Sequence, residues 1–114
     1  MTILDELADA ARERTEANKK NVSLEQIKKM AFELPKGNFE FENALKKDGI
    51  SFICECKKAS PSKGIIAEDF PYLQIAKEYQ TAGAVCISVL TEPTKFLGSD
   101  DYLREIALEV AVPC

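Results

Sequence analysis

The chain has 114 residues, of which 46% are hydrophobic and 30% charged, and its formal net charge is −4. These values are typical of one small folded domain and exclude a disordered chain, although the length is well short of the roughly 250 residues of a full α/β barrel. The acidic balance argues against a nucleic-acid-binding surface, and no apolar run approaches the roughly 18 residues of a membrane span.

The N-terminal part of the chain predicts helices. Capping-box patterns begin at Thr2 and Ser23, and each is followed by apolar residues at helical spacing. They predict a first helix over residues 3–18 and a second helix that stops at Pro35. A third, short helix is favoured before residue 50.

From residue 50 the pattern changes to strand, turn, helix, strand, turn, helix. The first strand is predicted over residues 51–57 as a buried strand, and Pro71 suits the first turn of the helix that follows it. Residues 84–90 are almost continuously apolar, as in a parallel strand buried on both faces. Ser99 begins the next helix as a good N-cap, and Val112 then starts what reads as a third strand.

This order predicts an α/β fold with two parts: an N-terminal helical extension over residues 1–49 and the first portion of a larger barrel or doubly wound sheet over residues 50–114. Two strand–helix units and a strand start leave parallel strands without neighbours. We therefore expect a truncated fold that self-associates through its exposed strand edges. The N-terminus shows no secretory signal, so we expect a cytoplasmic protein without membrane or nucleic-acid partners.

The most informative stretch is the end of the first strand. Side chains alternate faces along a strand, so Glu55 and Lys57 share one face about 7 Å apart, at the carboxyl end where α/β folds place their chemistry. This pair is a candidate for proton transfer or carboxylate recognition. The alternative is a surface ion pair at a strand end, which contributes little to stability.

Two further segments belong to the same end of the sheet. The turn over residues 60–64 offers hydroxyls and a cation to a phosphate or carboxylate, although it also has the composition of an ordinary turn, and no nucleotide-loop pattern is present. Ser88 and Leu90 share the face of the second strand that lies toward the interior. Phe96 and Gly98 lie in the following loop, where Phe96 either flanks an aromatic substrate or packs within the loop.

The four cysteines predict neither a metal site nor a disulfide framework. Cys54 and Cys56 lie within a strand pattern, and the chain contains no His. Zinc sites need Cys-x-x-Cys pairs or Cys/His clusters, and disulfides are rare in proteins that are not secreted. We expect buried, apolar thiols.

Residues 54–64, Cys-Glu-Cys-Lys-Lys-Ala-Ser-Pro-Ser-Lys-Gly, resemble the first strand and loop of indole-3-glycerol phosphate synthase, where Glu-x-Lys followed by Ser-Pro-Ser is the family signature. Residues 87–92 and 96–99 resemble the second strand and loop of that family. Tyr102-Leu103-Arg104 and Val112-Pro113 continue the match in register, so the resemblance covers essentially the whole chain.

The resemblance implies a TIM (β/α)8 barrel enzyme of tryptophan biosynthesis, a carboxy-lyase. Its reaction converts 1-(2-carboxyphenylamino)-1-deoxyribulose 5-phosphate to indole-3-glycerol phosphate, CO2 and water. The family implies a phosphorylated small-molecule substrate and neither a metal nor an organic cofactor. Lys57 would contact the substrate carboxylate and assist its departure, and Glu55 would hold Lys57 and take part in acid–base steps.

The same resemblance implies substrate-binding residues. Ser60 would touch the substrate near its phosphate or carboxylate end, and Leu90 and Phe96 would line the anthranilate pocket. Ser88 and Gly98 would also contribute to substrate binding, on the same side of the active-site opening.

One departure from the family limits the expected activity. The main general acid of the family is a Lys on the third strand, in a segment that would begin just beyond Cys114, so we expect the 114-residue chain to be inactive alone. Two alternatives remain. One is another phosphate-binding barrel such as phosphoribosylanthranilate isomerase, although Lys57 together with residues 60–64 argues against it. The other is a non-catalytic half-barrel that pairs with another chain.

Overall fold

The computed structural model describes residues 1–114. The chain divides into two compact units, residues 1–38 and residues 39–114. These units do not test the domain boundary expected after residue 49, which stays a prediction. No helix combines the length and the apolar character that crossing a membrane requires.

The first unit consists of two helices, α1 (Ile3–Asn21) and α2 (Leu24–Glu33). Both predicted capping boxes are confirmed, because the side chains of Thr2 and Ser23 accept hydrogen bonds from the backbone three residues on. Helix α1 continues three residues beyond the predicted end at residue 18, since its last turn carries lysines, which favour the negative end of the helix dipole: Lys19 and Lys20.

The second unit alternates strands and helices as predicted. Its elements, in chain order, are α3 (Glu40–Leu45), β1 (Ile53–Cys56), β2 (Ala59–Ser60), β3 (Gly64–Ile65), α4 (Tyr72–Ala82), β4 (Cys86–Val89) and α5 (Asp100–Glu109). The antiparallel pair β2–β3 was not predicted as strands. Two-residue strands are too short to show a period of two in the sequence.

Strands β1 and β4 form a parallel pair whose register runs from Ile53 beside Cys86 to Cys56 beside Val89. The connection between them passes through α4, which is the crossover expected for a parallel pair. On the other edge of β4, the amide of Ile87 donates to the carbonyl of Pro113 at 2.9 Å. The chain at Pro113 therefore lies along β4, where a third strand was expected.

The core lies where β1 and β4 pack against α4 and α5. Its buried members are small or branched apolar residues: Cys56, Ala76, Ile87, Ile106 and Val110. Ile87 and Ile106 are fully buried, which explains the apolar character of their elements.

The prediction that the first strand is buried is wrong at its beginning. Phe52 is 64% exposed and Ile53 is 49% exposed. The reason is that β1 pairs with β4 only, so one edge and part of one face have no covering element. In β4 the prediction of burial on both faces holds for Cys86 and Ile87, whereas the residues from Ser88 onward are half-buried.

Candidate functional site

Three polar side chains meet at the carboxyl ends of β1 and β4. The parallel register places Glu55 directly beside Ser88. The Ser88 hydroxyl donates to Glu55 Oε2 at 3.0 Å, and Lys57 Nζ lies 3.2 Å from Glu55 Oε1. The prediction that Glu55 and Lys57 lie side by side is confirmed, and the Glu55 carboxylate uses one oxygen for each neighbour.

The backbone under this site is held by helix α4. The Tyr79 hydroxyl donates to the carbonyl oxygen of Glu55 at 3.0 Å. Burial raises the pKa of Tyr79, and the nearby thiols of Cys56 and Cys54 raise it further, so the hydroxyl stays protonated as this donor. The sequence does not indicate this contact, because Tyr79 and Glu55 are 24 positions apart.

The Glu55–Lys57 ion pair is reached by solvent. The side chains of Lys57 and Glu55 are 36% and 41% exposed. An ion pair in this setting contributes at most about 1 kcal/mol to stability. An ammonium group has three N–H donors, so Lys57 can bind Glu55 and still donate to an incoming carboxylate. The site thus presents two groups to a ligand: the Lys57 ammonium as a cation and, next to it, the Glu55 carboxylate as a base.

The segment after β1 is a tight hairpin rather than an open loop. Ser60 is 8% exposed, and its hydroxyl oxygen accepts a hydrogen bond from the Lys63 amide at 3.2 Å. Residue Gly64 pairs with Ser60 across the hairpin, with φ of +64°, a conformation that glycine adopts readily. The Ser60 hydroxyl therefore stabilises the turn, and its contact with a substrate stays a prediction.

The loop after β4 is organised by a carboxylate that sequence reasoning did not single out. Glu92 Oε1 accepts hydrogen bonds from the amide and the hydroxyl of Thr94, at 3.0 and 2.6 Å. Glu92 Oε2 accepts from the amides of Lys95 and Phe96, at 2.6 and 3.0 Å. The sequence gives no signal for this role, because three of the four donors to Glu92 are backbone amides, which are the same in every sequence.

The pKa of Glu92 reflects these contacts. Burial raises the pKa of the carboxyl, but the hydrogen bonds from Thr94, Lys95 and Phe96 together outweigh burial and lower it to about 2. Glu92 is therefore ionised at neutral pH, where the loop contains a negative charge.

The loop closes back on the end of β4. The Gly98 amide donates to the Glu92 carbonyl at 2.8 Å. A Cβ atom at Gly98 would lie 2.1 Å from the carbonyl oxygen of Leu90, so only glycine fits here. Phe96 is half-buried in this loop. The structure thus joins Leu90, Phe96 and Gly98 in one closed loop, next to the strand that carries Ser88.

The cysteines are free thiols with no role in this constellation. Burial, followed by the nearby Cys114, Cys54 and Glu55, raises the pKa of Cys56 to about 11. Burial also raises the pKa of Cys86, whose thiol donates to the Phe41 carbonyl at 3.7 Å. Neutral thiols are poor nucleophiles and poor metal ligands. No group of three or more His, Cys, Asp or Glu side chains is placed to hold a metal ion.

Comparison with known proteins gives a consistent result. The family model described as indole-3-glycerol phosphate synthase matches residues 4–114. A protein of that name from Ruminiclostridium cellulolyticum is 53% identical over 112 residues, which cover 97% of this chain and 43% of the relative. One from Endomicrobium trichonymphae is 52% identical with the same coverage. One from Lachnoclostridium phytofermentans is 44% identical over 123 residues, 45% of its length. The chain spans less than half the length of these curated relatives.

Proposed function

The chain belongs to the indole-3-glycerol phosphate synthase family, and we propose that it forms one side of the active site of such an enzyme, a carboxy-lyase of tryptophan biosynthesis with a (β/α)8 barrel. The single observation that carries the proposal is the contact of Glu55 with both Lys57 and Ser88 at the carboxyl ends of two parallel strands. Chemistry in (β/α)8 barrels is located at that end.

The proposed reaction closes a ring on the substrate 1-(2-carboxyphenylamino)-1-deoxyribulose 5-phosphate. A new carbon–carbon bond forms between the aromatic ring and the ribulose carbonyl carbon. The carboxylate then leaves as CO2, and loss of water gives indole-3-glycerol phosphate. Ring closure needs an acid for the carbonyl oxygen, and a cation can bind and orient the substrate carboxylate. When the carboxylate leaves as CO2, its bonding electrons return to the ring.

Lys57 is the residue proposed to bind the substrate carboxylate. Its ammonium is partly exposed. The ion pair with Glu55, at 3.2 Å, holds the ammonium near one position, and its other N–H groups can donate to a ligand. Glu55 is proposed to orient Lys57 and to exchange protons with the substrate. Because the Ser88 hydroxyl donates to the other Glu55 oxygen, rotation of the carboxylate is restricted, which supports this orienting role.

The remaining residues are proposed to contact the substrate body. Phe96 and Leu90 line the anthranilate part, with Gly98 allowing the loop to approach the strand, and Ser60 lies toward the phosphate or carboxylate end. Phe96 is half-buried, which leaves part of its ring available to a ligand. The substrate is a phosphorylated small molecule, and we assign the enzyme to the cytoplasm as expected for this biosynthetic step.

The test uses a chimera in which residues 1–114 are followed by the remaining segment of the R. cellulolyticum relative. We expect the chimera to form indole-3-glycerol phosphate, detected by indole absorbance and fluorescence. Lys57→Ala should lower kcat/KM by about 10²-fold or more, the usual effect of removing one group that stabilises a transition state. The 114-residue chain alone should show no turnover.

The matched control is Lys46→Ala, which removes a lysine from another exposed ion pair, 3.0 Å from Glu42 on α3. It should leave kcat/KM within about twofold, because surface ion pairs contribute little. An inactive chimera, or equal effects of the two substitutions, would contradict the proposal.

We also infer that the 114-residue chain self-associates. The supporting observations are that β4 pairs with only one edge of β1, and that Phe52, just before β1, and Ile53, its first residue, are exposed. Sedimentation velocity over a hundredfold range of concentration should show oligomers that Phe52→Ser weakens. A monomer at every concentration would contradict this.

A further inference from the structure

We propose that Glu92 is a positioning residue for the anthranilate pocket: its carboxylate holds the loop of residues 91–98 in the shape that presents Phe96. This inference rests on the proposed function, because it assigns Phe96 to the substrate pocket. It adds a residue that acts on the substrate through the shape of the loop.

The first argument is the number and direction of the hydrogen bonds. Both oxygens of Glu92 face the loop backbone, and they receive the amides of three consecutive residues as well as one hydroxyl: Thr94, Lys95 and Phe96. An ionised carboxylate can only accept hydrogen bonds, so each of these four donors meets an acceptor oxygen. The residue whose ring is to be presented, Phe96, is itself one of the four.

The second argument is the closure of the loop. Glu92 also accepts, through its backbone carbonyl, the hydrogen bond from the Gly98 amide at 2.8 Å. Gly98 in turn packs against the Leu90 carbonyl, and Leu97 between them has φ of +51°, which is unfavourable for leucine. A conformation with that cost persists only where its surroundings hold it. The Glu92 contacts supply that restraint from inside the loop.

The third argument concerns the chemistry of the side chain. A glutamine at this position would keep one acceptor oxygen but would turn an NH2 group toward backbone amides. The NH2 group can face either set of donors, but in both cases the remaining oxygen carries no full charge, so Glu92→Gln should weaken the hydrogen bonds from Lys95 and Phe96 while preserving size and shape. Glu92→Asp keeps both acceptor oxygens, and aspartate caps successive backbone amides well. These two variants therefore separate charge and acceptor geometry from side-chain volume.

The structural measurement is amide hydrogen exchange on the 114-residue chain. We expect the amides of Lys95 and Phe96 to be protected, and their exchange to accelerate by about tenfold or more in Glu92→Gln, as for the loss of hydrogen bonds to a charged group. Protection of Ile87 and Ile106 should be unchanged, which shows that the variant is folded. The control is Glu68→Gln, another loop carboxylate that is exposed.

The functional measurement uses the chimera described above. Glu92→Gln should raise KM about tenfold and leave kcat within about threefold, because the loop contributes substrate binding rather than chemistry. Glu92→Asp should restore KM to within about threefold of the unmodified value, and Glu68→Gln should leave both constants unchanged. A purely structural defect would lower the active fraction and hence kcat, with KM unaffected.

The outcomes separate this inference from the proposed function. An active chimera in which Glu92→Gln leaves KM unchanged, or lowers only kcat, overturns the positioning role while the proposed function stands. An inactive unmodified chimera overturns the proposed function, and the exchange measurement then decides the loop assignment by itself. Unprotected Lys95 and Phe96 amides in the unmodified chain, or equal protection in Glu92→Gln, overturn that assignment.

Discussion

Replacing Gly98 by alanine tests how tightly the loop after β4 must approach the strand. The added Cβ would lie 2.1 Å from the Leu90 carbonyl oxygen and 2.7 Å from the carbonyl carbons of Leu90 and Thr91. All three neighbours are backbone atoms, so no flexible side chain can move aside. The φ angle of Gly98 is not in the left-handed region, so the expected effect is purely one of space.

The magnitude follows from the distances. A carbon and a carbonyl oxygen normally approach to about 3.3 Å, so the loop must move away from Leu90 by about 1 Å. Crowding of this kind costs about 1–3 kcal/mol, and loss of the hydrogen bond from the Gly98 amide to Glu92 costs about 1 kcal/mol more. We expect the free energy of unfolding to fall by about 2–4 kcal/mol, with Tm about 8–17 °C lower.

The assay is urea unfolding of the 114-residue chain followed by circular dichroism, with Gly83→Ala as the comparison. Gly83 has φ of +104° but nothing within 4 Å of an added Cβ, so alanine there meets a conformational cost of about 1–2 kcal/mol and no crowding. Gly98→Ala should cost more than Gly83→Ala. A loss below about 0.5 kcal/mol for Gly98→Ala would refute the reasoning, since it would mean that the loop does not press on Leu90.

Three further predictions concern the core, the site and the loop. The Glu92 carboxyl has a pKa of about 2 in the folded chain against 4.5 ordinarily, so its stabilising contribution is present above pH 4.5 and is lost as the pH falls through 2. Urea unfolding between pH 6 and pH 2 should therefore show the stability difference between the unmodified chain and Glu92→Gln shrinking; a constant difference would contradict this. Ser88→Ala removes the donor to Glu55 from a partly exposed site, so the free energy of unfolding should change by less than about 1 kcal/mol. The kcat/KM of the chimera should fall about tenfold, because Glu55 is less well oriented. An unchanged kcat/KM would argue against an orienting role for Ser88. Ile87→Ala should cost about 2–5 kcal/mol in urea unfolding because Ile87 is fully buried, whereas Ile65→Ala, at 54% exposed, should cost far less; similar losses would contradict the assignment of the core.

Local patterns in the sequence predict much of the fold because they act within a few residues. The capping boxes at Thr2 and Ser23 are complete within four residues, and both form as predicted. The pairing of Glu55 with Lys57 depends only on alternation along one strand, which a short apolar run already specifies. The position of Ser88 on the same face needed in addition the assumption that the two strands are parallel.

Other features depend on contacts that no local pattern carries. The apolar run at Phe52 and Ile53 predicts a buried segment. Both residues are nevertheless exposed, because β1 has a neighbouring strand on one edge only. The hydrogen bond from Tyr79 to Glu55 joins residues 24 positions apart. Glu92 was passed over for a different reason: its partners are backbone amides, which are the same in every sequence, so residue types could not indicate them.

Strand β4 connects the two parts of the site, and its hydrogen bonds decide whether they move together. Ser88 contacts Glu55. Two residues later, the Leu90 amide donates to the Cys56 carbonyl at 3.1 Å. The Leu90 carbonyl packs closely against Gly98. Because Leu90 is held to β1, strain from Gly98→Ala should be relieved by outward movement of the loop rather than of the strand. The effects of Gly98→Ala and Ser88→Ala on kcat/KM of the chimera should then add to within about 0.5 kcal/mol. Coupling above about 1 kcal/mol would mean that β4 transmits the displacement to Glu55, and that loop and ion pair act as one unit.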